Sequence, residues 1–332
     1  MEEIDFIIPW VDGSDEKWIA ERNKYAHKKE DEKEVAARYR DWDNLHYWFR
    51  GVEQFAPWVR KIHFITWGHL PKFLNTTHPK INIVKHEDYI PRDYLPVFGA
   101  NPIELNLHRI KSLSEKFVYF NDDMFLIKPT PSTLFFDKDK PRDQASLDYI
   151  GAVGENSFAH ILLNDIAILN KHFNKKATIK ANKSKWINKE YDLKENIKTL
   201  SLHWANVFPS INLQHLPQPF LKSTLETVWE KEFELLSKIS QNKFRSLEDV
   251  NQYLFRYWQL ATGEFTPINR NKLGKNFSLK DTDNAIFGAI TNQKYHMICA
   301  NDSNQLTQFA RVSQELKVAL ETILPEKSSF ER

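Results

Sequence analysis

Short apolar runs alternate with charged, helically spaced stretches through the first 126 residues. Ile4 to Pro9 is apolar apart from Asp5 and gives way at once to Asp12-Gly13-Ser14-Asp15, the pattern of a buried strand that ends in a turn. Trp18 to Arg40 is charged and helical in spacing. Within it, Lys28, Lys29, Glu30, Asp31, Glu32 and Lys33 read as a solvated helix face, with opposite charges three and four apart. Leu45, Trp48, Phe49, Val52 and Phe55 form an apolar stripe that predicts a helix packed on a core. Lys61 to Thr66 and Ile81 to Val84 read as strands, and His86 to Pro102 as a loop. Asn101 to Leu113 reads as a helix with Ile103, Leu107 and Ile110 on one face, and Phe117 to Phe120 as a strand running into Asn121-Asp122-Asp123. This rhythm predicts an α/β fold, with a mainly parallel central sheet flanked by helices.

The pattern changes after Asp137. Residues 171–200 carry nine lysines against Glu190, Asp192 and Glu195. A basic insertion spanning about 137–200 is expected, either solvated or in peripheral contact with an anionic membrane. Thr224 to Ile239 and Leu247 to Leu260 are helical by spacing, and Ser246 followed by Glu248 and Asp249 suits a helix start. Residues 262–283 read as irregular. Tyr295 to Ala300 reads as a last strand ending at Asn301-Asp302, and Gln308 to Leu324 as a last helix. One catalytic domain over 1–332 is the expected organisation. It comprises an α/β core over 1–136, the insertion, and a part over 201–332 that completes the active site.

Composition narrows the function classes. The 332 residues are 41% hydrophobic and 13% aromatic, enough to build a core. Lys plus Arg is 46 and Asp plus Glu is 44, so the basic excess that a nucleic-acid binder uses is missing. The one cysteine, Cys299, rules out an intrachain disulfide framework and a cysteine-rich zinc site. No Gly-x-Gly-x-x-Gly or P-loop pattern occurs among nine glycines, so a dinucleotide fold is not expected. No run reaches 18 apolar residues, and Met1-Glu2-Glu3 lacks the basic start of a signal peptide. A cytoplasmic location follows as an expectation.

Three acidic groups stand at strand ends: Asp12 with Asp15, Asp122 with Asp123, and Asp302 beside Asn301. In an open α/β sheet, ligands bind beyond the carboxyl ends of the strands, so these groups can meet in one crevice. Carboxylate oxygens suit a hard cation such as Mg²⁺ or Mn²⁺, which commonly bridges a carboxylate and a pyrophosphate. Two adjacent aspartates after a strand also serve as turn and helix-cap residues.

The segment IDFIIPWVDGSDEKW (Ile4–Trp18) resembles the first conserved block of the Stealth family of sugar-1-phosphate transferases. FAPWVRKIHFITWGHLPKFLN (Phe55–Asn75), HPKINIVKHEDYIP (His78–Pro91) and YLPVFGANPIELNLHRIKSLSEKFVYFNDDMFL (Tyr94–Leu126) resemble the second. LQHLPQPFLKSTLE (Leu213–Glu226) with KFRSLEDVNQYLFRYWQL (Lys243–Leu260) is similar to the third, and YHMICANDS (Tyr295–Ser303) to the fourth.

The resemblance implies a nucleotide-sugar-binding core of GT-A-like or Rossmann-like type with helical additions. It also implies transfer of a hexose-1-phosphate from a UDP-sugar to a hydroxyl of a glycan or lipid-linked oligosaccharide. The product is a phosphodiester, and UMP is released. Such a reaction needs charge neutralisation, in-line positioning and a base near the acceptor hydroxyl. Asp122 and Asp123 are assigned to metal and pyrophosphate handling, with Asn301 and Asp302 completing the metal site. Asp12, Gly13 and Asp15 are assigned to the nucleotide-sugar pocket, and Asn101 and Glu104 to sugar hydroxyls. His215 is the assigned base, since an imidazole titrates at about 6.5, with His108 as competitor. Arg245 and Arg109 are assigned to phosphate oxygens, which the guanidinium fork binds in pairs. Trp10, Trp18, Trp42, Trp58 and Trp67 read as core residues or stacking platforms. Two other readings stay open: a metal-dependent glycosyltransferase releasing UDP, and a silent glycan- or nucleotide-binding protein.

Overall fold

The computed structural model describes residues 3–26, 39–151, 158–282, 284–303 and 306–332. The charged face expected at Lys28 to Lys33 lies outside them. Strands β1 (Ile4–Pro9), β2 (Ile62–Thr66), β3 (Ile81–Lys85) and β4 (Lys116–Tyr119) fall where the apolar runs predict them. They are followed by β5 (Met124–Leu126), β6 (Phe136–Asp137), β7 (Lys140–Asp143) and β8 (Gln218–Leu221). The last strands are β9 (Thr266–Pro267), β10 (Gly274–Ser278) and β11 (Met297–Asn301).

The central sheet runs β3-β2-β1-β4-β8, parallel except for β8 at its edge. Both faces are covered, which is why β1 reads as an almost continuous apolar run. Helix α1 (Glu16–Tyr25) follows β1, and Ile4, Phe6 and Ile8 pack on one side of the sheet with Trp48, Phe49 and Val52 of helix α2 (Leu45–Phe55). Ile7 packs on the other with Ile65, Phe117 and Tyr119. Asp5 is the polar exception inside β1. It accepts from Arg60 Nε at 2.8 Å, from the Ser114 amide at 2.8 Å, and meets His63 Nε2 at 2.9 Å.

Strand order 3-2-1-4 reverses direction at β1 and β4, so the chain diverges beyond their carboxyl ends and opens a crevice there. A second sheet, β10-β11-β5, closes one side of that crevice. The Asp123 carbonyl accepts from the Ala300 amide at 2.8 Å and joins the β4–β5 turn to β11. A third, small sheet, β6-β7-β9, ends in Asp143, which two arginines hold. Arg256 donates to it through Nε and Nη2 at 2.8 and 3.0 Å, and Arg270 Nε lies at 3.6 Å.

Several expected elements are shorter or divided. The helix expected over Asn101–Leu113 is α3 (Ala100–Leu105) followed by a 3₁₀ turn at Leu107–Arg109. Asn106 breaks it: its side-chain Nδ2 donates to the Pro102 carbonyl at 2.8 Å, competing with the backbone ladder. The helix expected from Leu247 starts at Tyr253, because Asp249 turns back to accept from the Ser246 amide at 2.9 Å and from Asn101 Nδ2 at 2.7 Å. Thr224–Ile239 divides at Glu232 into Lys222–Lys231 and Phe233–Ser240. Residues 262–283, expected as irregular, contribute β9 and β10.

The segment 137–200 opens with β7 and continues as helices, including Ala159–His172 and Leu193–Ser201. Trp186 is completely buried and shares a core with Tyr257 and Leu260 of the helix Tyr253–Thr262. The lysines here are only partly a solvated face. Lys175 donates to the Leu202 and His203 carbonyls, Lys185 to the Gly263 carbonyl, Lys171 to Glu232 and Lys198 to Asp148. No helix among the described residues is long and apolar enough to cross a membrane.

Candidate active site

The crevice at the carboxyl ends of β1 and β4 holds two adjoining cavities, of about 720 and 270 Å³. Asp122, Asp123, His215 and Arg245 line both, so four residues from three distant chain segments share one wall. Local structure sets each of them. β4 ends at Tyr119, and the turn that follows is closed by the Met124 amide donating to the Asn121 carbonyl at 3.1 Å, which sets out Asp122 and Asp123. His215 sits just before edge strand β8, and Arg245 in the turn that Asp249 ties.

Asp122 opens onto the cavity yet is otherwise enclosed by protein. That enclosure and the Asp123 charge push its carboxyl up to about 7. Asp123 Oδ2 accepts from Cys299 Sγ at 3.2 Å, while Asp123 Oδ1 is buried and has no hydrogen-bond partner. Burial, with Asp123 beside it, pushes the Cys299 thiol well up, so it stays protonated and donates. Asp123, His215 and Cys299 bring a carboxylate, an imidazole and a thiol within 4.8 Å of one another, close enough for one ion. Two adjacent carboxylates, Asp122 raised by its enclosure and by the Asp123 charge and Asp123 with one oxygen unpartnered, form a donor set that a divalent cation fits.

His215 is held on both sides. Asn121 Nδ2 donates to Nε2 at 3.3 Å, and Nδ1 meets Tyr253 Oη at 3.1 Å. With the amide so oriented, Nε2 carries the lone pair and Nδ1 the proton. The smaller cavity has aromatic walls, including Trp10, Trp18 and Phe98. Gln252 Oε1 and His86 Nδ1, both buried without a partner, belong to side chains lining it. Burial and the neighbouring His69 hold the His86 imidazole down to about 4, so it is neutral.

Other expected site residues line the cavities and are tied to neighbouring side chains. Asn301 and Asp302 line the larger cavity, but both Asp302 oxygens are held by Arg40, at 3.0 and 3.1 Å, and Oδ2 also by Trp42 Nε1 at 3.0 Å. Asp302 is thus ion-paired with Arg40, and burial outweighs that pair and raises its carboxyl. Asn101 and Glu104 line the smaller cavity. Glu104 is buried, accepts from Tyr119 Oη at 3.0 Å and the Gln252 amide at 3.3 Å, and is raised by that burial.

Asp12, Gly13 and Asp15 line neither cavity. Asp12 Oδ1 accepts from the Ser14 amide and hydroxyl at 2.9 and 2.6 Å, and Asp15 caps the helix Glu16–Tyr25 by accepting from the Trp18 amide at 2.8 Å. A Cβ on Gly13 would meet the Tyr39 carbonyl oxygen at 2.0 Å, so the close approach that this glycine permits is to Tyr39, itself a wall residue. His108 and Arg109 also lie outside both cavities. Their 3₁₀ turn faces Trp229, over which Arg109 stacks at 4.6 Å, and burial takes His108 down to about 3. Trp10 and Trp42 line the larger cavity, while Trp58 and Trp67 line neither.

The residues missed by sequence reasoning are Tyr39, Arg40, Asp41, Asn121, Phe158 and the β10 pair Asn276 and Ser278, all on the larger cavity. The charged run Arg40-Asp41-Trp42-Asp43, just ahead of an apolar helix, was the legible signal for the first group. Asn276 and Ser278 arrive by a strand pairing that no local pattern announces.

Two family models and several full-length proteins match the chain. The family model for Stealth protein CR1, conserved region 1, matches residues 2–30, and that for Stealth protein CR2, conserved region 2, matches residues 38–144. The capsular polysaccharide phosphotransferase WcwK of Streptococcus pneumoniae is 40% identical over 334 residues, covering 100% of this chain and 99% of that protein. The receptor polysaccharide phosphotransferase WefC of Streptococcus gordonii is 39% identical, over 100% and 99%. The exopolysaccharide phosphotransferase cps2G of Lactiplantibacillus plantarum is 35% identical, over 99% and 96%. Among solved structures, an active-site mutant of LgtC superposes over 95% of both chains at 9% identity, with a TM-score of 0.39. Full-length relatives at 35–40% identity, two matched conserved regions and an acidic turn at the sheet's switch point lead to one conclusion: this chain is a phosphotransferase that belongs to the Stealth family.

Proposed function

We propose that the protein transfers a hexose-1-phosphate from a UDP-sugar to a hydroxyl of a glycan acceptor during synthesis of a capsule or other cell-surface polysaccharide. The observation that carries the reading is the wall shared by the two cavities, where Asp122, Asp123, His215 and Arg245 converge. The relatives' names support the polysaccharide context.

In this reading the acceptor oxygen attacks the β-phosphorus of the donor. The bond from that phosphorus to the bridging oxygen breaks, and UMP leaves with the oxygen. The acceptor hydroxyl displaces Asn121 Nδ2 from His215 Nε2, which then takes its proton, while Tyr253 holds the ring through Nδ1. Arg245 supplies a guanidinium to the phosphate oxygens. A Mg²⁺ or Mn²⁺ ion held by Asp122 and Asp123 would neutralise diphosphate charge. Asp122 and Asp123 themselves position the leaving side, and Asp302 acts only through Arg40. The smaller cavity takes the uracil: its aromatic walls stack on a planar ring, and Gln252 Oε1 accepts from the ring N–H. The larger cavity takes the glycan. UDP-sugars are cytoplasmic, which puts the reaction on that side of the membrane.

The test is to incubate the protein with a panel of UDP-sugars, Mg²⁺ or Mn²⁺ and candidate glycans, and to read products by phosphorus NMR. A phosphodiester with UMP supports the reading. UDP with an unphosphorylated glycoside replaces it with an ordinary glycosyltransferase. Donor binding without turnover on every acceptor favours a silent binding protein.

A further inference from the structure

The helix Leu193–Ser201 is inside out for a surface helix. A helix lying on a protein normally turns its apolar residues inward and its polar ones to water. Here Glu195 and Thr199, 3% and 2% exposed, face the interior. Glu195 Oε2 accepts from Asn212 Nδ2 at 2.7 Å and from Ser146 Oγ at 3.3 Å, and Thr199 Oγ1 accepts from the Leu147 amide at 3.0 Å. Leu193, Ile197 and Leu200, spaced four and three apart, are 74%, 56% and 56% exposed. Trp204 and Val207 extend the apolar surface beyond the helix at 78% and 56%.

The hydrogen bonds from Asn212, Ser146 and Leu147 fix the helix rotation. The apolar stripe therefore cannot turn inward without leaving buried polar groups unpaired. Contiguous exposed apolar surface of this kind marks an interaction site. Charge identifies the occupant. Over residues 171–200 the exposed charged side chains are Lys176, Lys180, Lys183 and Lys189, with Lys171 paired to Glu232 and Lys194 at 3.9 Å from Glu195, against Glu190 alone. Leucine, isoleucine and an exposed tryptophan beside lysines is the composition of a helix that lies in the interface of an anionic bilayer. An acidic protein surface would complement the lysines but would not need five apolar side chains beside them.

We propose that the helix Leu193–Ser201, with Trp204 and Val207, docks the protein on a membrane surface rich in anionic phospholipid. The stripe inserts among the acyl chains and the lysines meet the headgroups. The docking surface is coupled to the catalytic wall through a short relay. Asp192, just ahead of the helix, accepts from Asn269 Nδ2 and Asn271 Nδ2, both at 2.9 Å. Asn271 Oδ1 in turn accepts from Gln214 Nε2 at 2.6 Å, next to His215. The docking itself stands without the transfer reading, because it concerns a different surface.

The experiment is vesicle flotation of the full chain, with phosphatidylcholine alone and with phosphatidylcholine containing phosphatidylglycerol. The wild type is expected to float with the anionic vesicles and to be released by salt. A triple variant, Ile197→Ser, Leu200→Ser and Trp204→Ala, is expected to bind about tenfold more weakly or less. Replacement of Lys180, Lys183, Lys189 and Lys194 by Gln should remove the preference for phosphatidylglycerol. All changes are at exposed positions, so an unchanged thermal midpoint confirms that the variants fold. Failure of the wild type to bind anionic vesicles, or equal binding by the triple variant, overturns the proposal. So does a concentration-dependent dimer that only the triple variant abolishes, since the stripe would then face a second copy. Flotation needs no turnover, so its result is read apart from any transfer assay.

Discussion

Arg40 and Asp302 are 262 residues apart in sequence and meet in a two-pronged ion pair, Nε to Oδ2 at 3.0 Å and Nη2 to Oδ1 at 3.1 Å. The pair ties the entrance of helix α2 to the end of β11 and forms part of the larger cavity wall. It makes Asp302 a strut. Asp302→Asn should therefore lower stability by roughly 1–3 kcal/mol by leaving Arg40 without its anion. The concentration of metal giving half-maximal activity should stay the same. Thermal melts and a metal-activation curve check this. A large rise in the metal required would return Asp302 to the ligand set.

Asp123 is placed differently. Its Oδ1 is buried and has no hydrogen-bond partner among the described residues. Asp123→Ala or Asp122→Ala should reduce turnover by about 10²-fold or more, and chelation should do the same to the wild type. Steady-state rates with and without a chelator measure this. Either variant working at full rate in chelator is the outcome that removes the metal from the account.

His215→Ala removes a proton acceptor and not a binding group. Donor affinity, read by calorimetry, should hold, while kcat falls by about 10²–10⁴-fold. Tyr253→Phe should lower kcat less, since the Tyr253 hydroxyl holds the ring and does not itself take the proton. Near-normal kcat in His215→Ala would contradict the assignment of the base.

How much of this was legible in the chain follows from how local each cause is. β1, β2, β3 and β4 could be read because a strand covered on both faces is an uninterrupted apolar run. The divisions at Asn106, Asp249 and Glu232 could not, because side chains competing for backbone groups leave the apolar spacing intact. β8 was hidden by Pro219, tolerated because that strand is at the sheet's edge. Asp122, Asp123, His215 and Arg245 stood out through family resemblance together with residue chemistry. Arg109 and His108 carried the right chemistry on a turn that faces Trp229, and nothing within the chain's local pattern reveals which way a 3₁₀ turn faces.

Asp5 makes stability depend on pH. Burial alone would raise its carboxyl, but hydrogen bonds from His63, Arg60 and the Ser114 amide outweigh burial and hold it below the ordinary carboxylate value. A lowered folded value contributes stability above the unfolded value of about 3.9, and that contribution is lost as pH falls through the folded value. Asp5→Asn should thus destabilise by about 3–5 kcal/mol near neutrality. The gap to the wild type should narrow below about pH 4. Denaturant titrations at pH 7 and pH 3.5 test the sign, and a gap that widened in acid would reverse it.

The most direct test of the account is a crystal structure with a non-transferable UDP-sugar analogue and Mg²⁺. The expected result puts the diphosphate on the shared wall, between Asp122, His215 and Arg245, with the uracil against Gln252 in the smaller cavity. A diphosphate bound elsewhere, with those three side chains untouched, would contradict it.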